Sequence, residues 1–387
     1  MARALPLLVL VVGSLGAACS GTSESSPEVD AAAEETLIDA ALDALSPDAP
    51  SPDVSTGDGT PADTSDTGSG VGTDADGGPA PGDTPPNLKV AFVGDQGNNA
   101  NTVAVMALAK KEGAQAIFIL GDYDYGDSPT NFAANLDKGV GTDFPVFAVV
   151  GNHDVAAWSG YKTKIDARLA KIPDASCTGE YGSRAACKWR GLFFVTSGVG
   201  TMGTGHETYL QDQLAKDAST WRVCLWHKNQ HDMQIGGKGD EVGWKAYQIC
   251  QAQGAMVWTG HEHSYARTKT LTALGDKAKA YGATGLFDQM VVQPASGTTP
   301  GSTFVIVSGL GGVEVRDFEA SHATDTWWAA YYANNAWFTN GTKPAGFKLG
   351  FGATFLTFHV DGDPKKARGY FKNLAGVEID RFEVTRK

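Results

Sequence analysis

The sequence predicts an α/β domain with a mixed sheet or a second sheet, and three observations carry that expectation. Short apolar runs rich in β-branched residues alternate with helix-spaced segments from residue 88 onward. Strand-like runs follow one another in the last third of the chain, where helix-spaced segments thin out. A long segment of different composition precedes all of this and contributes no apolar pattern.

The elements follow in order. "LKVAFVG" (residues 88–94) is a first strand, ended by Gly94. Asn101–Glu112 places Val103, Met106, Ala107 and Leu108 at helical spacing. "AQAIFILG" and "FPVFAVVG" are the second and third strands. "GLFFVTSG" and "TWRVCLWH" are strands separated by the helical "HETYLQDQLAKD". A helix near Gly243–Gln253 and the strand "AMVWTG" come next. Later strands fall at Phe304–Ser308, Ala353–Val360 and the C-terminal "VEIDRFEV".

The first 86 residues read differently. Residues 1–18 place one arginine before an apolar core and small residues after it, the order of a signal peptide. Cys19 follows, resembling the lipidated cysteine of a bacterial lipobox, with Leu15 one place further from it than usual. Of the chain's 44 acids, 15 lie in residues 20–86, which hold no lysine, arginine or aromatic residue. Such a segment cannot bury enough apolar surface to offset its chain entropy, so residues 19–86 are expected to form an acidic tether. The protein is then a membrane-anchored bacterial lipoprotein, or a secreted one, that meets the membrane only through its lipid. Residues 87–387 are expected to form one folded domain.

The net charge of −13 therefore belongs to the tether. The remaining body carries 29 acids against 30 bases, so no dedicated nucleic-acid surface is evident. Its four cysteines allow three pairings. Cys177 and Cys187 flank one short loop and are the expected pair; Cys224, in a strand, and Cys250, ending the next helix, are the expected second.

Polar residues collect at strand ends, where α/β sheets bind ligands. They are Asp95 in "VGDQG", Asp122 in "LGDYDYG", Asn152 and His153 in "VGNHD", His227 in "LWHKNQH", and His261 and His263 in "TGHEH". Imidazole, carboxylate and carboxamide together suit zinc, manganese or iron better than calcium or magnesium. The set is too large for one ion and about right for two.

The ordered set G-D-x-G, G-D-x-x-Y, G-N-H-D, a strand-end histidine and G-H-x-H resembles the calcineurin-like metallophosphoesterase superfamily. Its G-D-x-x-Y form is similar to the purple acid phosphatase branch. The resemblance implies two mixed β-sheets packed as a sandwich and flanked by helices. It implies two transition-metal ions, iron with zinc, manganese or a second iron. Asp95, Asp122, Tyr125 and His263 would hold one; Asp122, Asn152, His227 and His261 the other, with Asp122 bridging. His153 would assist the leaving-group oxygen and Asp154 would orient nearby groups. A metal-activated water would attack the phosphorus of a small phosphate ester. The expected activity is that of an acid-phosphatase-like phosphomonoesterase. A phosphodiesterase or nucleotidase on the same site is the alternative, and a surface-tethered binding protein that kept the fold is the non-enzyme one.

The sequence departs from the family pattern in places. Cys224 stands where the fourth motif usually has valine. A second histidine downstream of that motif has no match, and Asn229 and His231 lie closer instead, as candidate phosphate contacts. In "VSGLGGVEVR", Gly311, Gly312 and Arg316 are candidates to lie over the site. Tyr123, Asp124, His206, His322 and His359 are given no role, His359 pointing outward from an alternating run. Gly198–Gly203 matches G-x-G-x-x-G, but the next strand ends in His227 where a dinucleotide site needs an acid. No G-x-S-x-G elbow marks a serine hydrolase.

Overall fold

The computed structural model describes residues 84–276, 280–345 and 350–387. The expectations for the signal peptide, Cys19 and nearly all of the tether lie outside the described residues. The first described residue, Thr84, is buried, and its carbonyl accepts a hydrogen bond from His359 Nδ1 at 2.7 Å.

Two mixed sheets form the domain. The first runs in the order β10 (Gln289–Val292), β16 (Glu378–Arg386), β15 (Asp363–Asn373), β14 (Gly352–Val360), β1 (Leu88–Val93), β2 (Ala116–Ile119) and β3 (Val146–Ala148). The second runs β13 (Ala336–Thr339), β12 (Trp328–Ala333), β9 (Tyr265–Thr268), β11 (Val305–Ser308), β8 (Met256–Thr259), β7 (Trp221–Leu225), β6 (Leu192–Ser197), β5 (Arg184–Trp189) and β4 (Ala175–Glu180). β1, β2 and β3 are parallel, as are β6, β7, β8 and β11. Parallel strands are buried on both faces, which is why the sequence shows them as continuous apolar runs.

The sheets meet face to face through aromatic rings. Phe92 of β1 stacks on Trp258 of β8 with centroids 3.7 Å apart, and Phe118 of β2 meets Phe194 of β6 edge-on at 5.0 Å. A buried ion pair adds a polar tie: Arg267 of β9 donates to Asp380 of β16 at 2.6 and 2.9 Å. Five helices flank the sheets among the described residues: α1 (Ala100–Lys111), α2 (Pro129–Val140), α3 (Trp158–Leu169), α4 (His206–Lys216) and α5 (Lys245–Ala252). Asn99 caps α1 by accepting from Thr102 N, with Lys110 and Lys111 in its last turn. Ser128 caps α2, with Pro129 in its first turn. Leu210 and Leu214 of α4 and Tyr247 of α5 pack with Val195 and Val257 in a second core behind the second sheet.

Both expected disulfides are present, Cys177–Cys187 and Cys224–Cys250. Cys177 and Cys187 are directly opposed across the β4–β5 hairpin, so the segment between them is two strands and a turn rather than a plain loop. Among the described residues no helix is long and apolar enough to cross a membrane.

His359 departs from the outward orientation expected of it. It is buried, because the β14–β15 register shifts between Phe358 and Val360 and leaves His359 at φ 54°. A bulge interrupts the two-residue alternation on which that expectation rests.

Candidate metal centre

Five strands, three from the first sheet and two from the second, end along one edge of the sandwich. β1 leads to Asp95, β2 to Asp122, β3 to Asn152, β7 to His227 and β8 to His261. Backbone bonds lock these ends together beyond the strands: Asp95 N donates to Gly121 O at 3.1 Å, and Gly260 N to His227 O at 3.1 Å. The glycines before Asn152 and His261 have a steric reason. A Cβ on Gly151 would lie 2.1 Å from Asp122 Oδ1, and one on Gly260 would lie 2.7 Å from Asp95 Oδ2.

The donor atoms form two adjacent groups. In the first, one ligand atom each from Asp122, His227 and His261 lie within 4.8 Å of one another. His227 Nε2 is 3.1 Å from Asp122 Oδ2 and 3.2 Å from His261 Nδ1. In the second, the Tyr125 hydroxyl donates to Asp95 Oδ1 at 3.1 Å and sits 2.7 Å from His263 Nε2. His263 Nε2 is also 3.4 Å from Asp95 Oδ1. A distance of 4.0 Å from His227 Nε2 to Asp95 Oδ1 joins the two groups.

The proton inventory of the first group shows that a cation fits there. His227 Nδ1 lies 2.7 Å from the Leu120 carbonyl, which only accepts, so that nitrogen carries the hydrogen. His261 Nε2 lies 2.5 Å from a Glu241 carboxylate oxygen, so it too carries the hydrogen. That leaves the lone pairs of His227 Nε2, His261 Nδ1 and Asp122 Oδ2 facing one another. Three lone pairs converging without a donor require a positive charge between them, a metal ion or, failing that, a proton. Burial opposes charge on His227, but the Asp122 and Asp95 carboxylates outweigh it and take the imidazole up to about 9. Burial likewise works to raise Asp122, yet His227 holds it well below the usual carboxylate range. Burial pushes His261 far below the usual imidazole range, and the charges of His227 and Lys238 push the same way.

Other features agree with this fit. The Asn152 side-chain oxygen is buried with no hydrogen-bond partner. Asp95, Asp122, Tyr125 and His261 all adopt positive φ, at 62°, 54°, 53° and 69°. Such backbone conformations cost of order 1–3 kcal/mol each and collect at functional sites. Burial, with the nearby Asp95 and Asp122 carboxylates, pushes the Tyr125 phenol far above its usual range, so it stays protonated until a cation replaces the proton.

The remaining sequence candidates take different places. His153 is exposed; its ring lies 4.3 Å from that of Tyr125, and only its backbone N touches Asp122, at 2.9 Å. Asp154 is fully buried beneath the loops, accepting from Gly151 N at 2.6 Å, Tyr123 N at 2.7 Å and Asp122 N at 3.0 Å. Burial, then the Asp122 charge, pushes its carboxyl up to about 7, against the pull of those amides. Tyr123 packs on Phe132, and Asp124 accepts from Tyr161 and the Ser128 amide.

Asn229 is buried and occupied: its amide donates to Gly260 O at 2.8 Å and its oxygen accepts from Thr259 at 2.7 Å, tying two strand ends together. His231 pairs with Asp232 and lies 5.1 Å from the His322 ring. Arg316 sits at the rim, one-third exposed, with Nη1 3.3 Å from His261 O. The Gly311 amide is taken by Gly94 O at 2.9 Å, so it does not point into open space.

Glu241, Lys238 and Glu314, the last 3.0 Å from His263 Nδ1, escape sequence reasoning. Glu241 reaches His261, and the Lys238 ammonium donates to the His261 carbonyl. Both come from the polar, glycine-rich stretch after the fourth motif, whose only signal is its charge among glycines.

Residues 82–265 match the family described as calcineurin-like phosphoesterase. No curated protein matches the chain by sequence. Among solved structures, purple acid phosphatase PPD1 from yellow lupin (Lupinus luteus) seeds superposes with a TM-score of 0.55 at 16% identity, covering 80% of this chain and 55% of that one. The chain thus spans about half of the lupin structure, and the likeness is one of fold. PhoD gives a TM-score of 0.44 at 13% identity, covering 76% of this chain and 67% of that one. TT1561 of Thermus thermophilus gives 0.36 at 13% identity, covering 58% and 89%.

Proposed function

Because the chain belongs, through residues 82–265, to the calcineurin-like phosphoesterase family, we propose that it is an exported hydrolase of phosphate monoesters, acid-phosphatase-like and working at a dinuclear metal centre. The observation that carries the reading is the convergence of His227 Nε2, His261 Nδ1 and Asp122 Oδ2 at the ends of strands from both sheets, with the other nitrogen of His227 held by the Leu120 carbonyl. That arrangement is costly in a folded protein unless a cation repays it.

In this reading Asp95, Tyr125, His263 and Asp122 hold one ion, and Asp122, Asn152, His227 and His261 the other. The ions are iron paired with zinc, manganese or a second iron. When bound, they supply Lewis acidity toward the phosphoryl group and an activated water as nucleophile. His153, exposed beside Tyr125, is placed to hydrogen-bond the ester's leaving oxygen and give it a proton. Arg316, at the rim, offers a fixed positive charge to phosphoryl oxygens that do not face the ions. Asp154 holds the backbone of Asp122 and Tyr123 still. Two disulfides support a location in an oxidising compartment, with Cys19 as the lipid anchor.

The test is metal analysis of the full-length protein together with hydrolysis of p-nitrophenyl phosphate and its bis ester. About two transition metals per chain and preference for the monoester are expected, with Asp122→Asn inactive. Preference for the bis ester would make the enzyme a diesterase, overturning the monoesterase assignment. Metal-loaded protein that cleaves neither ester would overturn the hydrolytic reading.

A further inference from the structure

The second nitrogen of each histidine in the first donor group meets a different kind of partner. His227 Nδ1 is held by a backbone carbonyl, Leu120 O, at 2.7 Å. His261 Nε2 is held by a carboxylate, Glu241 Oε2, at 2.5 Å, and Lys228 donates to the other oxygen of that carboxylate at 2.6 Å. We propose that Glu241 is a positioning residue that fixes the tautomer of His261, with Lys228 anchoring it, so that Nδ1 presents a lone pair toward Asp122 and His227. The inference rests on the metal reading above and concerns the ion held by that group.

The physical need is specific. A neutral imidazole carries one hydrogen, and its partner decides which nitrogen keeps it. Were the hydrogen on Nδ1, an N–H would stand 3.2 Å from His227 Nε2, where a ligand atom is needed. A carboxylate at Nε2 prevents this, because it accepts and has nothing to donate. Its charge also makes the opposite nitrogen a stronger donor to a metal, which a neutral carbonyl does less.

The carboxylate is itself held in place. Glu241 N donates to Asn229 O at 3.1 Å. The loop at Gly200 packs so closely that a Cβ there would come within 2.5 Å of Glu241 O. Lys228 immediately follows His227, so both imidazoles are positioned from one strand end. By contrast, no hydrogen bond or ion pair joins Glu241 to Asp95, Tyr125 or His263, so the effect is confined to one of the two ions.

The test uses full-length protein stripped of metal and titrated with zinc against a chelating dye. The tautomer of His261 is read from the ring nitrogen shifts of histidine-labelled protein, assigned with a His261→Asn variant. In Glu241→Gln and Glu241→Ala, one zinc equivalent should bind about 10–100-fold more weakly and the other unchanged. The His261 nitrogen pattern of the metal-free protein should move toward the other tautomer or a mixture. Glu241→Asp should restore part of the loss, and Lys228→Met should cause a smaller one.

Unchanged zinc affinity and unchanged nitrogen shifts in folded Glu241 variants, with folding checked by thermal melting, would overturn the inference and leave the hydrolytic reading standing. Weakened binding of both equivalents would show a general structural role and overturn it as well. Wild-type protein that takes zinc but cleaves no ester would sink the hydrolytic reading and leave Glu241's role intact. Wild-type protein that takes no zinc would sink the metal reading, and the shifts of the metal-free variants would still decide the tautomer.

Discussion

Gly151→Ala should disable the site without placing any new functional group in it. Gly151 has φ −104°, a conformation alanine adopts freely, so backbone strain does not enter. The effect is steric. A Cβ at this position would lie 2.1 Å from both the amide nitrogen and Oδ1 of Asp122. Non-bonded carbon contacts relax only beyond about 3 Å, so Asp122 and the 151–154 turn must part by about 1 Å. A displacement of that size at a positioned catalytic group costs about 10²-fold in rate. The same movement stretches the bonds from Asp122 N and Tyr123 N to Asp154, at 3.0 and 2.7 Å. Overpacking of this kind lowers stability by about 1–3 kcal/mol. The assay is kcat on p-nitrophenyl phosphate, metal content after desalting, and urea unfolding. Gly141→Ala is the control: there φ is +91° and nothing lies within 4 Å of the added methyl, so it should lose stability through backbone strain and keep its rate and metal. Gly151→Ala with wild-type turnover and metal content would refute the claim that Asp122 is held against this turn.

His153→Ala should reduce turnover about 10²- to 10⁴-fold with metal content unchanged, since only its backbone touches Asp122; loss of metal on elemental analysis would place its side chain among the ligands instead. Tyr125→Phe in iron-loaded protein should abolish a visible charge-transfer band, because only a cation can displace the proton of so strongly raised a phenol; a colourless wild type, or a coloured variant, would show that Tyr125 is not bound. Chelated protein should lose stability as the pH rises from about 6.5 through 9. His227 charges more readily folded than unfolded, so its contribution, on the order of 3 kcal/mol, is complete below the unfolded value and gone above the folded one. Saturating zinc should flatten that slope by replacing the proton, and a slope unchanged in His227→Asn would refute the assignment.

Much of the site was legible because its chemistry sits at the ends of apolar runs. A strand buried on both faces has no use for Asp95, Asp122 or His227 in its packing, so their positions stand out against β-branched neighbours. The disulfides were legible because four body cysteines fall beside recognisable elements. Less could be read where the pattern mixes. β15 reads "DPKKARGYFKN", with charges alternating against small and aromatic residues, and gains its place from the long pairing with β14 and β16. α2 spaces Phe132, Leu136 and Val140 helically, but that signal is diluted by its polar remainder. Asn229 read as a phosphate contact because of its distance from His227 along the chain. Its burial between Thr259 and Gly260 depends on how β7 and β8 lie together, which no local pattern states.

The contact of Glu241 with His261 belongs to the same class of hidden feature. It is made across 20 residues by a loop whose course is set by Gly200, Asn229 and Lys228. The strain was hidden as well, yet its footprint was not. Four candidate ligands adopt positive φ, and three of them, Asp95, Asp122 and His261, directly follow a glycine. The glycines at 121, 151 and 260 would each bring a Cβ within 2.8 Å of a site atom from another strand. The motif therefore records a packing constraint as much as a ligand list. At four of the five strand ends, before Asp95, Asp122, Asn152 and His261, close approach is made possible by a residue with no side chain, while Trp226 precedes His227. The strain of the ligands that follow persists because five strands from two sheets over-determine their positions.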